Sequence, residues 1–454
     1  MRSVGCLAAV LIGFVGQADA GDRSEKEAAA DRGYRWLITK PYLPADFDQE
    51  VFDNLWKVWP AELRQEARDG TPAERRRMAF SRYGLMERPA GDHAGTALGY
   101  LPDGQSGWVM NCLACHTGKV AGRVVLGAPN SHFALETLVE DVRQIKLQML
   151  KPLTHMDLGS LKMPLGTTRG TTNAVMFGVA LGAMRDADLN VRSDVQIPRM
   201  VHHDMDAPPF WNVRRKKNLY SDGFVAKSHR PLLQFVMVPR NSGETLRKWE
   251  SDYADILAWI ESLEAPAYPW PIDRSLAARG KIAFERVCTE CHGTYGERES
   301  YPERVVPLAD VQTDPVRLRS LTTEYRLAMQ EGWFGEYGRK GYLIDPAGYV
   351  APPLNGIWAS APYLHNGSVP TLWHLLHPED RPVVWRRTEN GYDKSRIGLE
   401  ASTFNSLPEA ARTASEKREY FDTRRSGKSA VGHLFPNQLS EDEKQAVLEY
   451  LKTL

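Results

Sequence analysis

Cys112-Leu113-Ala114-Cys115-His116 and Cys288-Thr289-Glu290-Cys291-His292 are two copies of one pattern, a pair of cysteines three positions apart with a histidine directly after the second. The 454-residue chain has five cysteines. Cys6 lies in an N-terminal apolar run, and the other four all stand in these motifs, so none is left for a disulfide. A structural zinc site would bring two cysteine pairs together and gives no reason for a histidine after each pair. A thioredoxin-like redox motif gives no reason for the duplication. Two thiols at this spacing reach the two vinyl groups on one porphyrin edge, and the adjacent imidazole then meets the iron from the proximal side. The motifs therefore predict two covalently bound haem c groups, one on Cys112, Cys115 and His116, the other on Cys288, Cys291 and His292.

Helical signals organise the chain around these anchors. From Leu246, the apolar residues Trp249, Tyr253, Ile256, Ile260 and Leu263 recur every three or four positions, which marks an amphipathic helix. Pro266, Pro269 and Pro271 stop it and form a stiff connection to the second half. At the chain end, Ser440 and Glu443 form a capping-box pair ahead of a helix with Val447, Tyr450, Leu451 and Leu454 on one face. Ile256 to Leu263 and Val447 to Leu454 match in apolar pattern, and each closes a segment that holds one cysteine motif. The expected fold class is mainly α, with two cytochrome-c-like haem domains, long loops and a few short strands such as Arg123 to Leu126 and Val305 to Leu308. The expected boundaries are residues 21–265 for the first domain, 266–271 for a Pro-rich linker and 272–454 for the second. Each domain should have a helix before its motif and a helix packing back at its end.

Composition narrows the partners. Lysine plus arginine equals aspartate plus glutamate at 57 each, which argues against a nucleic-acid or anionic-membrane partner held by bulk charge. Arg2, the apolar run Val4 to Val15 and the small-x-small triplet Ala18-Asp19-Ala20 read as a secretory signal cleaved near Ala20, and the run is too short to span a bilayer. The expected location is the periplasm or the medium, without stable membrane insertion. No phosphate-binding glycine loop or nucleophile elbow is present.

The stretch Ala351-Pro-Pro-Leu-Asn-Gly-Ile-Trp-Ala-Ser-Ala-Pro-Tyr-Leu-His-Asn-Gly-Ser-Val-Pro-Thr-Leu372 resembles the signature of the bacterial di-haem cytochrome c peroxidase superfamily. Within it, the rubber-oxygenase-like branch is most similar, also at Gly166 to Asn173, Pro209 to Tyr220, Phe421 to Thr423 and Gly432-His433. The resemblance runs from about residue 105 to the C-terminus. It implies a division of labour: an N-terminal haem, on His116, with an exchangeable sixth position for peroxide or dioxygen, and a second haem with two protein ligands that handles electrons. Two strong protein ligands leave no place for substrate, so this division agrees with coordination chemistry.

For the distal ligand of the second haem the resemblance favours His433, with His365 and Met329 as competitors. His132, sixteen residues after His116, stands at a separation similar to that of the peroxidases' distal histidine. Three roles fit it: a ligand released on reduction, an acid and base for O–O cleavage, or a cap on the helix that comes next. Trp211 matches the family's tryptophan between the haems, where an oxidisable indole helps electrons pass; core packing is the other reading. The run Arg214 to Lys217 suits haem propionates or a solvated face equally. His202-His203-Asp204 reads as structural, since adjacent histidines do not easily face one ion. Some relatives carry a calcium ion between domains. The resemblance leaves two enzyme readings, a peroxidase fed by a small redox protein and an oxygenase of an apolar organic substrate. A pure electron carrier with both haems six-coordinate is the reading from another class.

Overall fold

The computed structural model describes residues 15–89, 92, 95–195 and 200–454. Arg2 and most of the Val4 to Val15 run lie outside them. Among the described residues no helix is long and apolar enough to cross a membrane. About 44% of the chain is helical and 13% is strand, which makes the fold mainly helical.

Four helices set the architecture: α1 (Val15–Thr39), α2 (Glu250–Ser262), α3 (Arg274–Val287) and α4 (Glu441–Leu451). α1 packs on α2, and α3 packs on α4. Both pairs cross at a glycine. A Cβ added at Gly33 would lie 2.0 Å from the Asp255 carbonyl oxygen, and one at Gly280 would lie 1.9 Å from that of Ala446. The carbonyl carbons follow, and then the backbone nitrogens of Ile256 and Val447. These are the residues that head the two matching segments Ile256 to Leu263 and Val447 to Leu454, so the sequence match corresponds to one packing device used twice. Only glycine lets two helix backbones approach this closely.

The first pair carries added polar ties. Arg32 holds Asp255 through Nε and Nη2, both at 2.9 Å, and Lys40 pairs with Asp252. α4 begins with the expected capping box, in which Ser440 Oγ accepts from the Glu443 amide and the Glu443 carboxylate accepts from the Ser440 amide at 2.9 Å.

A helix leads directly into the second motif, because α3 ends at Val287 next to Cys288. No helix adjoins the first motif. It is entered from the strand Gly107–Met110, and α1 lies far upstream. The intervening residues build their own apolar cluster around Phe47, Phe52, Tyr83 and Trp108, roofed by the helix Leu135–Gln148.

β1 (Thr117–Val120) and β2 (Arg123–Leu126) form a hairpin directly after the first motif. The second expected strand forms at Val305–Pro307, paired with Gly348–Val350, and Leu308 already starts a helical turn. Strands are not uniformly short. β3 (Val384–Asp393) and β4 (Gly398–Phe404) make an antiparallel ribbon, whose buried Val384 and Trp385 alternate poorly with the polar Arg386 to Glu389 run. That mixed pattern hides the period-two signal of a strand.

The two halves interlock. Leu321, Met329, Trp333, Phe334 and Tyr342, from the second half by sequence, sit in the same core as Leu37, Phe210, Tyr253 and Ile256. Ala128 and Trp211, from the first half, sit in the core of Phe284, Trp358 and Leu448.

Candidate haem sites

At the first motif, Cys112–Ala114 form a single 3-10 turn. Asn111 caps it, accepting from the Leu113 amide at 2.9 Å, and donates to the Leu37 carbonyl of α1 at 3.1 Å. Asn130 closes the far side, its Nδ2 bonding the Ala114 and Gly84 carbonyls at 2.9 Å each. His116 Nδ1 lies 3.1 Å from the Pro208 carbonyl, and the Phe210 ring stacks on the imidazole at 3.9 Å between centroids. A carbonyl only accepts, so Nδ1 carries the proton and Nε2 keeps its lone pair. Burial pushes the His116 pKa down to about 4, so the ring is neutral. A neutral imidazole anchored through Nδ1 is what an iron ligand requires.

The second motif repeats this chemistry on a helix. Cys288 ends α3, Thr289–His292 form one further turn, and His292 Nδ1 lies 2.8 Å from the Pro352 carbonyl. Burial lowers the His292 pKa as well. Tyr295 donates its hydroxyl to the His292 carbonyl at 2.9 Å and accepts from the Leu354 amide at 2.8 Å, locking the turn to the segment that holds the imidazole. None of these four cysteines forms a disulfide, and burial raises the thiol pKa of Cys112 to about 11 and of Cys115 and Cys288 to about 12. Two thiol pairs, each beside a neutral histidine oriented by a proline carbonyl, fit haem c.

The distal candidates occupy different places. The His433 ring lies 6.3 Å from that of His292, at 61°. Two imidazoles on one metal ion, with bonds of about 2 Å and roughly 1 Å more to each ring centre, stand about 6 Å apart. His433 Nδ1 is buried without a hydrogen-bond partner, and burial with His292 and Arg381 nearby pushes its pKa down to about 3. The loop that presents it is tightly made. Gly432 has φ +81°, and a Cβ there would lie 2.3 Å from the Gln312 carbonyl carbon. The His433 amide donates to the Val311 carbonyl at 2.6 Å. Arg381 Nη1 reaches the Ala430 and Gly432 carbonyls at 2.6 and 2.7 Å, and its Nε the His374 carbonyl at 3.1 Å. Arg381 carries no sequence signal of its own, because backbone carbonyl partners leave no motif. His365 instead stacks on Tyr349 at 4.2 Å, and Met329 lies in the core beside Leu321 and Trp333.

His132 is buried, with Nε2 3.2 Å from the Thr388 carbonyl of β3 and Nδ1 3.3 Å from Ser131 Oγ. Burial, with the Arg387 and Arg169 charges, pushes its pKa down to about 3. Trp211 is 1% exposed and donates Nε1 to the Asn355 carbonyl at 2.8 Å, three residues beyond the Pro352 that holds His292. It directly follows Phe210, the ring on His116, and so lies along the connection between the two motifs. In the adjacent basic run, Arg214 pairs with Glu264 at 3.6 Å, and Arg215 with Glu299. Lys216 is half-buried with its pKa lowered by burial. His203 and Asp204 are both 1% exposed, and Asp204 pairs with Lys428 at 2.7 Å, a buried structural cluster. Among the described residues no three or more His, Cys, Asp or Glu side chains converge on a point.

A cysteine pair followed by a histidine anchored on a backbone carbonyl defines the class: a haem protein of the cytochrome c kind. A sequence-family model described as RoxA-like, cytochrome c-like matches residues 348–386, the segment that contains Pro352 and the whole stretch Ala351 to Leu372. The match implies covalently bound haem c and supports the rubber-oxygenase-like cytochrome c family, whose members are oxygenase-type haem proteins. Two relatives come from Sinorhizobium fredii (strain NBRC 101917 / NGR234). Uncharacterized protein y4iM is 28% identical over 202 residues, 38% of this chain and 44% of that protein. Uncharacterized protein y4iJ is 38% identical over 126 residues, 26% of this chain and 19% of that protein. The matched stretches thus span less than half the length of either relative.

Proposed function

We propose that the chain is an exported di-haem c-type cytochrome with two cytochrome-c-like domains. It acts as an oxidoreductase on peroxide or dioxygen at the haem of Cys112, Cys115 and His116, and uses the haem of Cys288, Cys291 and His292 for electron transfer. The observation that carries this reading is the asymmetry between the two histidines. His433 stands opposite His292 at the spacing of two ligands on one ion, whereas among the described residues no second imidazole pairs with His116, whose one ring contact, Phe210 at 3.9 Å, stacks on the imidazole itself. Bound haem supplies a redox-active iron, open to a small oxidant where no second protein ligand closes it.

The chain's own residues do the rest. Pro208 orients His116 and keeps its imidazole electron-rich through the Nδ1 hydrogen bond. Trp211, buried and next in sequence to the Phe210 ring on His116, would pass electrons between the haems. His132 holds its proton on Nε2 against Thr388, and that bond must open before the ring serves as ligand or as acid and base.

EPR and optical spectra of the purified holo-protein test the reading. One low-spin and one high-spin or exchangeable haem are expected, with carbon monoxide binding to one haem after reduction. Two low-spin haems and no carbon monoxide binding would leave only the electron carrier. The family match favours dioxygen and an apolar substrate over peroxide. Oxygen uptake with polyisoprene or another apolar alkene, set against hydrogen-peroxide-dependent oxidation of a reduced cytochrome, decides between them.

A further inference from the structure

The two proximal histidines are tied into one run of bonds. Pro208 accepts from His116 Nδ1 at 3.1 Å. Four residues later Asn212 donates from Nδ2 to the Pro353 carbonyl at 2.9 Å, and the neighbouring Pro352 carbonyl accepts from His292 Nδ1 at 2.8 Å. The run contains little slack. Phe210–Arg215 is a 3-10 turn entered from Pro209, so Asn212 is held at a fixed offset from Pro208. Pro352-Pro353 has both φ angles restricted by its rings. Asn212 is 4% exposed, its Oδ1 is buried without a partner, and its one hydrogen bond is the one to Pro353. A buried amide left half-satisfied is costly. A surface selected only for packing would place an apolar residue there.

We propose that Asn212 is a positioning residue that couples the two haem sites. Resting on the di-haem reading above, it joins the segment of Pro208, which receives the His116 Nδ1–H, to Pro353, next to the Pro352 that receives the His292 Nδ1–H, so that a change of ligand or charge at one iron is felt at the other. The physical route is the hydrogen-bond strength itself. A more electron-poor metal makes its imidazole a stronger Nδ1 donor and pulls harder on its carbonyl. The displaced and polarised amide passes that change along the chain, Pro208 to Asn212 to Pro353-Pro352 to His292, in the manner of hydrogen bonds that polarise one another. This route differs from the indole of Trp211, whose bond goes to Asn355.

Coupling is reciprocal, so a ligand at the first haem must move the potential of the second. The test uses the full holo-protein, with the midpoint potential of the second haem measured in the absence and presence of saturating cyanide. In the wild type the cyanide-induced shift is expected to reach a tenfold change in the reduction equilibrium, which is about 59 mV for one electron. Asn212→Leu, similar in volume and without a donor, should lose most of that shift, and Asn212→Gln, which keeps a donor amide, should retain more of it than the leucine variant. Cyanide that binds and shifts the second haem equally in wild type and Asn212→Leu overturns the coupling role alone, as does cyanide that binds in the wild type without any shift. A wild type that binds fewer than two haems per chain, or no cyanide, overturns the di-haem, open-site reading and the coupling with it.

Discussion

Replacing Gly432 with alanine should release His433 from its place opposite His292 while leaving both haems attached. Gly432 has φ +81°, so any side chain adopts the left-handed region at a cost of roughly 1–2 kcal/mol. The new Cβ would also lie 2.3 Å from the Gln312 carbonyl carbon and 2.4 Å from the Val311 oxygen, both backbone atoms that cannot rotate away. Relief requires the loop to move off Val311, which breaks the 2.6 Å bond from the His433 amide and loses about 1 kcal/mol. Together these disfavour the present loop position by about 2–3 kcal/mol, of the order of a hundredfold in the local equilibrium. Gly104 is the control: its φ is +85°, yet nothing lies within 4 Å of an added Cβ, so Gly104→Ala should cost only the ~1–2 kcal/mol of backbone strain and leave the spectra unchanged. In Gly432→Ala the low-spin EPR signal of the second haem should give way to a high-spin one, and carbon monoxide should bind two reduced haems rather than one. A Gly432→Ala protein that keeps its low-spin signal and binds a single carbon monoxide would refute His433 as the second haem's ligand.

The remaining predictions concern the same scaffold. Gly33→Ala and Gly280→Ala each drive a methyl group into a helix backbone at 2.0 and 1.9 Å, and each should lower stability by about 1–3 kcal/mol or more in denaturant titrations, whereas Gly122→Ala, with open space, should not exceed its left-handed strain. Lys428→Met strands the buried Asp204 carboxylate and should cost about 3–5 kcal/mol, while the double variant Asp204→Leu/Lys428→Met recovers most of it in thermal melts. Acid should destabilise the fold through its buried histidines. His132 and His203 titrate near 3 and 4 when folded, and near 6.5 when unfolded, so below pH 6.5 the unfolded chain takes up protons that the folded chain refuses. Their contribution is complete above pH 6.5 and is lost as the pH falls, at up to about 1.4 kcal/mol per pH unit for each ring, and a stability profile flat between pH 6 and 4 would contradict it.

The cysteine motifs and the closing helices were legible because covalent attachment and helical packing both act over a few consecutive residues. Ile256 to Leu263 and Val447 to Leu454 announce their common role through a period that every helix must show. Their partners Gly33 and Gly280 do not, since a glycine inside a helix signals only a local weakness until the facing backbone is known. The ribbon β3–β4 was missed for a related reason: Arg386 to Glu389 reads as a charged loop, and its pairing partner lies across a turn. The setting of His132 was equally hidden. Its bond to Thr388 joins residues 256 positions apart, and the acceptor is a carbonyl that any residue type would provide.

The sites show the same division between what is symmetrical and what is not. Everything that attaches and orients the proximal side comes in two copies: a cysteine pair, a histidine, a proline carbonyl 3.1 or 2.8 Å from Nδ1, and a helix pair crossing at a glycine. What differs lies in the long segments between motif and closing helix. In the second half that segment sends out residues 384–422, which cover the first half through Thr388, Arg418 and Glu419, and then returns through Gly432-His433. The excursion that brings His433 to face His292 is thus continuous with the one that fastens His132. Arg381, three residues before β3, holds the Ala430 and Gly432 carbonyls, so the ribbon and the His433 loop share an anchor. The open character proposed for the first site and the closed character proposed for the second therefore rest on one element, and a deletion within the ribbon should disturb the spin states of both haems together rather than of one alone.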